Sequence, residues 1–122
     1  MSTTHHSEYL KIESIFIKRV ESAFISEIQL REQWLDLNYL SQPDFDISID
    51  EYAAFEKIIR TNGVKTHYFT VDEKLTLDSI YCRDASIATD FGMIICNMGK
   101  PGRINEPESQ KKVFIDNDIP IL

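Results

Sequence analysis

The sequence predicts an α/β fold in which strands joined by helices pair in parallel and strands joined by a hairpin pair antiparallel. Short β-rich runs alternate with segments of helical periodicity, polar turn signals separate them, and two Ser-x-x-Glu/Gln capping motifs stand before apolar periodic segments. The predicted order is strand, helix, helix, strand, strand, strand, helix, strand. Of the 122 residues, 43% are hydrophobic and 27% charged, which suits a globular core.

The first part of the chain begins with a polar tail. Residues 1–10 are predicted to be a flexible tail, and residues 11–122 to form the ordered domain. The β-rich run Ser14-Ile15-Phe16-Ile17 predicts the first strand. Ser26 followed by Gln29 matches a capping box, which predicts a helix that continues to about Asn38.

A longer helix is predicted next. Ser48 and Glu51 form a second capping box, and Asn62-Gly63 ends the helix because glycine adopts the left-handed conformation at low cost. Its apolar residues recur at spacings of three and four, which predicts one apolar face made of Tyr52, Phe55, Ile58 and Ile59.

Three strands and a helix are predicted in the second half. Asp90-Phe91-Gly92 is predicted to turn the chain between two of the strands. Asn105 and Pro107 mark the start of a helix that runs to about Asn117. The strands are predicted over residues 64–71, 79–89 and 93–98, and a further strand begins in the apolar stub Ile119-Pro120-Ile121-Leu122, whose abrupt end suggests a truncated domain.

Charge and composition narrow the functional classes. The net charge is −7, from 20 acidic and 13 basic residues, which argues against nucleic-acid binding because phosphate contacts need clustered cations. No apolar run approaches the ~20 residues of a membrane span. Cys82 and Cys96 do not make a disulfide framework, so we expect reduced thiols and a cytoplasmic protein. No metal or cofactor is predicted.

The densest polar signal is the segment Asp78-Ser79-Ile80-Tyr81-Cys82-Arg83-Asp84. On a straight strand Asp78 and Asp84 would share a face about 20 Å apart, at ~3.3 Å per residue, so they could not share one small group. Two interpretations of Asp84 are open. It pairs with a neighbour or caps a turn, or it receives a guanidinium, which a carboxylate matches as a planar bidentate partner.

A second polar cluster lies at residues 97–103. Its glycines, with Lys100 and Arg103, are either a solvated turn or a loop that holds an anion such as a substrate carboxylate. Elsewhere, Asp90-Phe91-Gly92 copies a kinase tripeptide, but the other kinase motifs are missing from the sequence. His67 lies within a predicted strand and is interpreted as structural.

These segments together resemble the amidinotransferase family, which includes dimethylarginine dimethylaminohydrolases and arginine deiminases and belongs to the pentein superfamily. The resemblance covers roughly residues 12 to 122. The residues that carry it are Asp78 to Asp84, Ser86-Ile87-Ala88-Thr89, Gly92-Met93-Ile94-Ile95-Cys96 and Met98-Gly99-Lys100-Pro101-Gly102-Arg103, with Ser22-Ala23-Phe24-Ile25-Ser26, Trp34 and Pro43-Asp44-Phe45 upstream.

The resemblance implies an α/β propeller of five ββαβ modules, of which this chain would supply about two. It implies a small guanidinium substrate such as arginine or methylated arginine. It places Asp84 where the family binds the guanidinium, Asp78 and Arg103 at positions that contact the amino-acid end of the substrate, and Phe24 at the channel mouth. Asn97 and Ile104 depart from the basic residues common in relatives.

Family chemistry needs a nucleophilic cysteine and a histidine that come later than this chain extends. We therefore expect the N-terminal, substrate-binding part of an amidinohydrolase or amidinotransferase, and no catalytic activity from the 122 residues alone. The alternative is a stand-alone, non-catalytic binding or interaction module that self-associates through uncovered sheet edges.

Overall fold

The computed structural model describes residues 6–122 and divides the chain into two compact units. The N-terminal unit is residues 12–82, and the C-terminal unit is residues 83–122 together with residues 6–11. Of the predicted tail, residues 1–5 lie outside the described part, and residues 6–10 contain no helix or strand. No helix in residues 6–122 combines the length and apolar character of a membrane span.

The N-terminal unit contains a two-stranded parallel sheet. Its strands pair with Ser14 opposite Lys65 and Ile17 opposite Tyr68, which confirms the prediction that helix-linked strands run parallel. The elements in chain order are β1 (Ser14–Ile17), α1 (Val20–Ala23), α2 (Glu27–Gln33), α3 (Phe45–Thr61), β2 (Lys65–Tyr68) and a 3₁₀ turn (Leu77–Tyr81).

One apolar cluster forms the core of this unit. Leu30 and Leu77 are completely buried, and partly buried aromatic residues, Trp34 and Phe45 among them, pack against the cluster. Burial of such side chains stabilises the fold by about 1.5–3 kcal/mol each. The buried members are Val20, Ala23, Phe24, Leu30, Leu37 and Leu77.

The predicted cap of α2 is confirmed, because the Ser26 side chain accepts a hydrogen bond from the Gln29 backbone N–H at 3.2 Å. The reciprocal half of the capping box is not formed, since the Gln29 side chain donates to the carbonyl of Ala23. The regular helix ends at Gln33, before the predicted end at about Asn38. Residues 34–38 form turns, and Asn38 has a positive φ of 65°.

The predicted start of α3 is wrong by one turn. Asp44 is the N-cap, and its carboxylate accepts from the Ile47 backbone N–H at 2.9 Å, whereas the Ser48 hydroxyl lies inside the helix and donates to the Asp44 carbonyl. A carboxylate at the N-terminus also interacts favourably with the helix dipole, which a serine hydroxyl cannot do. The predicted end is confirmed, with Gly63 in the left-handed region at φ 77°.

The packed face of α3 is also rotated from the prediction. Phe55 and Ile58 are 45% and 62% exposed, whereas Phe45, Ile49 and Tyr52 pack against the core. The inner face therefore consists of Phe45 and the residues four and seven positions after it. The buried Glu56 lies on the same face, one turn after Tyr52.

The C-terminal unit contains two strands and a helix, followed by an isolated β-bridge. β3 (Ser86–Thr89) and β4 (Gly92–Ile95) pair antiparallel across the turn Asp90-Phe91, as predicted. A 3₁₀ turn (Pro101–Arg103) precedes α4 (Glu106–Asp116), and Asn105 makes no side-chain capping hydrogen bond. After α4, Ile121 forms a parallel bridge with Met93, which confirms the position and direction of the last predicted strand.

The prediction of an extended run from Ser79 to Thr89 is wrong in its first half. Leu77, Asp78 and Ser79 are buried in succession on the 3₁₀ turn, which a strand with alternating faces would not allow. Cys82 and Asp84 have positive φ values of 62° and 71°, so the backbone is not extended there either. The strand begins only at Ser86.

Candidate functional site

Asp84 lies just before β3 in the C-terminal unit and carries an exposed carboxylate. Its side chain is 67% exposed, and its Oδ2 is 3.8 Å from both Arg83 Nε and Arg103 Nη1. Those separations exceed hydrogen-bond length, so the carboxylate interacts with both cations through charge alone. Neither arginine donates a hydrogen bond to the Asp84 carboxylate, so its oxygens can accept hydrogen bonds from a planar cation.

Arg103 is held much more tightly than Asp84. Its side chain is 11% exposed, and Nε and Nη2 donate to the two carboxylate oxygens of Glu106 at 2.8 and 2.9 Å. Nη2 also donates to the backbone carbonyl of Arg83 at 2.7 Å. The predicted site residues Arg103 and Asp84 are therefore brought together in one unit, through the residue that precedes Asp84.

Glu106 was not predicted as a site residue. It is the first residue of α4 and is 2% exposed, so its charge depends on the bidentate pair with Arg103. The sequence did contain a pattern that fits this pair, an arginine three residues before a glutamate at a predicted helix start. Many solvated helix ends have the same pattern, so it does not identify a buried pair.

Asp78 belongs to the N-terminal unit and is buried, with 1% exposure. Its neighbourhood is aromatic and polar: burial raises the pKa of the Tyr39 hydroxyl, and the nearby Tyr81 and Asp78 raise it further. Asp78 thus lies in a protected polar cluster on the 3₁₀ turn rather than on the strand that the sequence predicted.

Phe24 also belongs to the N-terminal unit. It is 5% exposed and packs in the core cluster that includes Leu77, the residue before Asp78. Its predicted role at a channel mouth stays a prediction, since the observed contacts are those of a core residue. His67 stacks on Phe16 with ring centroids 5.0 Å apart, which agrees with a structural role.

Another polar cluster, which the sequence did not indicate, joins the N-cap of α1 to α3 and β2 of the N-terminal unit. Arg19 donates through Nε and Nη2 to Glu56 at 2.8 and 3.1 Å, and its guanidinium carbon lies 4.1 Å from the centre of the Tyr68 ring. The Tyr68 hydroxyl donates to the same carboxylate at 3.0 Å. The pKa of Glu56 is lowered, mainly by the hydrogen bonds from Arg19 and also by the one from Tyr68.

Beside this cluster lies an open cleft of about 200 Å³. Its wall combines both signs of charge with apolar surface from α3, so the cleft has no evident preference for one ligand charge. The lining residues are Arg19, Glu21, Ile49, Tyr52, Ala53, Glu56 and Arg60.

Solved structures of dimethylarginine dimethylaminohydrolase superpose on this chain. An adduct of that enzyme with 4-chloro-2-hydroxymethylpyridine matches with a TM-score of 0.65 and 18% identity, over 91% of this chain and 40% of the enzyme. The chain has the dimethylarginine dimethylaminohydrolase fold over that part. A histidine-to-glycine variant of dimethylarginine dimethylaminohydrolase, solved as an adduct with S-methyl-L-thiocitrulline, matches with a TM-score of 0.65 and 19% identity. That match covers 91% of this chain and 41% of the enzyme.

The fold expected from the sequence resemblance is thereby confirmed, as a mixed α/β structure like that of dimethylarginine dimethylaminohydrolase. The chain spans about 40% of the length of the structures it matches. No protein-family model matches the sequence, and the search of curated proteins gives no match.

Proposed function

We propose that the chain is the N-terminal, substrate-binding part of an enzyme that modifies the guanidine group of arginine or methylated arginine. Asp84 receives the substrate guanidinium. The observation that carries this proposal is the exposed Asp84 carboxylate, whose nearest cationic nitrogens stand 3.8 Å away, in a chain with the dimethylarginine dimethylaminohydrolase fold.

The charge and shape of a guanidinium both match the Asp84 carboxylate. A guanidinium presents parallel N–H donors that fit both oxygens of a carboxylate, and such charge-assisted pairs are about twice as strong as neutral hydrogen bonds. The charge of Arg103 is already balanced by Glu106, so the negative charge of Asp84 is opposed mainly by the exposed Arg83. A substrate cation that donates hydrogen bonds can displace Arg83, which makes none to Asp84.

The resemblance supports further assignments, which we include in the proposal. Asp78 and Arg103 contact the amino-acid end of the substrate, and Phe24 lines the entrance. The chain supplies about two of five ββαβ modules of a propeller. The shared 40% of length supports this count, as does the order of the C-terminal unit, in which β3, β4 and α4 are followed by the Ile121 bridge.

The proposal also holds that these 122 residues have no activity alone. The family's chemistry begins with thiolate attack on the guanidinium carbon. The Cys82 thiol donates to the carbonyl oxygens of Ser79 and Ile80 at 3.6 and 3.5 Å. The resemblance places neither Cys82 nor Cys96 at the position of the family's nucleophile. The Cys96 sulfur lies 4.0 Å from the Ile94 carbonyl oxygen.

Replacement of Asp84 tests the proposed role of its carboxylate. We expect Asp84→Asn to weaken arginine binding by about tenfold or more, since a charge-assisted hydrogen bond contributes about 1.5–3 kcal/mol. Asp90→Asn is the matched control, because Asp90 is an exposed aspartate of the same unit, and we expect a change below about twofold. The measurement is calorimetric titration with arginine and with asymmetric dimethylarginine. Equal affinities of the two variants, or no binding by the unmodified chain, would contradict the proposal.

The second candidate is a non-catalytic module that self-associates. It is favoured by the apolar outer surface of α3, where Ile47, Phe55 and Ile58 are 57%, 45% and 62% exposed. The candidates differ in solution: the module hypothesis requires a dimer that dissociates on dilution and no arginine binding. Sedimentation at two protein concentrations distinguishes them.

A further inference from the structure

We infer that Glu106 is a positioning residue for the Asp84 site: by fixing and neutralising Arg103, it keeps the Asp84 carboxylate in place and available to a ligand. The inference rests on the proposed function, because it assigns Glu106 to the guanidinium end of the same site. Three observations carry it, namely the burial of Glu106, the contacts of Arg103 and the backbone conformation at Asp84.

The first step is geometric. The Arg103 guanidinium is fixed in one plane by two hydrogen bonds to Glu106 and donates a third to the Arg83 carbonyl. That carbonyl belongs to the peptide whose N–H is that of Asp84, so Arg103 fixes the peptide plane from which the φ angle of Asp84 is measured. Asp84 has φ 71°, in the left-handed region, which aspartate adopts more often than most L-residues and which a fixed neighbouring peptide plane stabilises further.

The second step is electrostatic. Arg103 Nη1 is 3.8 Å from Asp84 Oδ2, and the Arg103 side chain is nearly buried. If Glu106 did not balance its charge, Arg103 would still have the Asp84 carboxylate within 3.8 Å. Asp84 would then pair with Arg103 and compete with an incoming guanidinium. Glu106 therefore keeps Asp84 free of a tight internal pair.

The neighbouring glutamate of α4 shows that these contacts are not a general property of an acidic first turn. The Glu108 side chain is 80% exposed and lies 3.9 Å from Lys111. Glu106 and Glu108 both lie in the first turn of α4 and can interact with the helix dipole. Of these two glutamates, Glu106 is the one that contacts Arg103. Glu108 is therefore a matched control for Glu106.

The binding test compares arginine with agmatine, which has the guanidinium but no carboxylate. We expect Glu106→Gln to weaken agmatine by about fivefold or more and arginine by at least the same factor, because Arg103 also contacts the amino-acid end in the proposed function. Glu108→Gln should change neither ligand by more than about twofold. A loss of agmatine binding places the effect at the guanidinium end, where Asp84 lies, because agmatine has no carboxylate. Loss of arginine binding alone, or unchanged binding of both ligands, would overturn the inference.

A ligand-free measurement separates this inference from the proposed function. In Glu106→Gln we expect the amide signal and the HN–Hα coupling of Asp84 to change, while the signals of β1 and β2 stay as in the unmodified chain. Arg103→Lys, which keeps the charge but loses the planar fork, should produce the same change at Asp84. If Asp84 responds but the unmodified chain binds no arginine, the proposed function fails and the positioning role stands. Unchanged Asp84 signals in both variants would overturn the positioning role itself.

Discussion

Gly92→Ala is expected to lower the free energy of unfolding of the C-terminal unit by about 3 kcal/mol or more. Gly92 has φ 145°, a conformation that costs other residues of order 1–3 kcal/mol. A Cβ at this position would also lie 2.7 Å from the Pro120 carbonyl oxygen, which is backbone and cannot rotate away. That oxygen accepts a 2.8 Å hydrogen bond from Met93, so relief of the clash would break the link between β4 and the last segment.

Gly99→Ala is the control for this prediction. Gly99 belongs to the same unit, and an added Cβ there would have no neighbour within 4 Å. We expect its unfolding free energy to stay within about 1 kcal/mol of the unmodified chain. Urea unfolding followed by the signals of β3, β4 and α4 measures both variants. Equal losses in the two alanine variants would show that the close approach at Pro120 is not required.

Arg19→Met is expected to destabilise the N-terminal unit by about 2 kcal/mol at pH 7, because it leaves the buried Glu56 carboxylate without its cation. The expected loss is below the 3–5 kcal/mol typical of a fully buried pair, since the Arg19 side chain is 45% exposed. Methionine keeps the aliphatic packing of the arginine stem. Arg31→Met, at an exposed position of α2, should cost less than about 0.5 kcal/mol.

The same variant gives a pH dependence of known sign. The pKa of Glu56 is lowered in the folded state from its ordinary value of 4.5, so the pair stabilises the fold above that pH and the contribution is lost as the pH falls through the folded pKa. We therefore expect the difference in unfolding free energy between the unmodified chain and Arg19→Met to be full at pH 7 and to shrink below about pH 4.5. A difference that stays constant down to pH 3 would contradict the charge pairing.

Local patterns predicted the strand pairing and several boundaries correctly. Ser26 and Gly63 act through bonds and torsions within a few residues, so the sequence contains nearly all of the physics that decides them. The start of α3 failed because two capping residues compete within one turn. Ser48 and Glu51 match the capping-box pattern, but Asp44 precedes them by one turn. Asp44 forms the cap because its carboxylate also places a negative charge at the helix N-terminus.

The candidate site was predicted only in part because its geometry depends on long-range contacts. Asp84 and Arg103 were identified by family resemblance, but the left-handed backbone at Asp84 and the buried partner Glu106 could not be read from spacing. The Arg19–Glu56 pair joins residues 37 positions apart, and no local pattern records such a contact. Buried charges of this kind become visible only when the elements that enclose them are placed.

The most direct test of the account is a map of the backbone amides that respond when arginine is added to the isotopically labelled chain, with lysine as the comparison ligand. A planar guanidinium bound at Asp84 predicts shifts at Arg83, Asp84 and Arg103 with arginine, and much weaker shifts with lysine, whose ammonium lacks the bidentate fork. Shifts confined to the cleft beside Arg19 and Glu56, or an identical response to both amino acids, would contradict it.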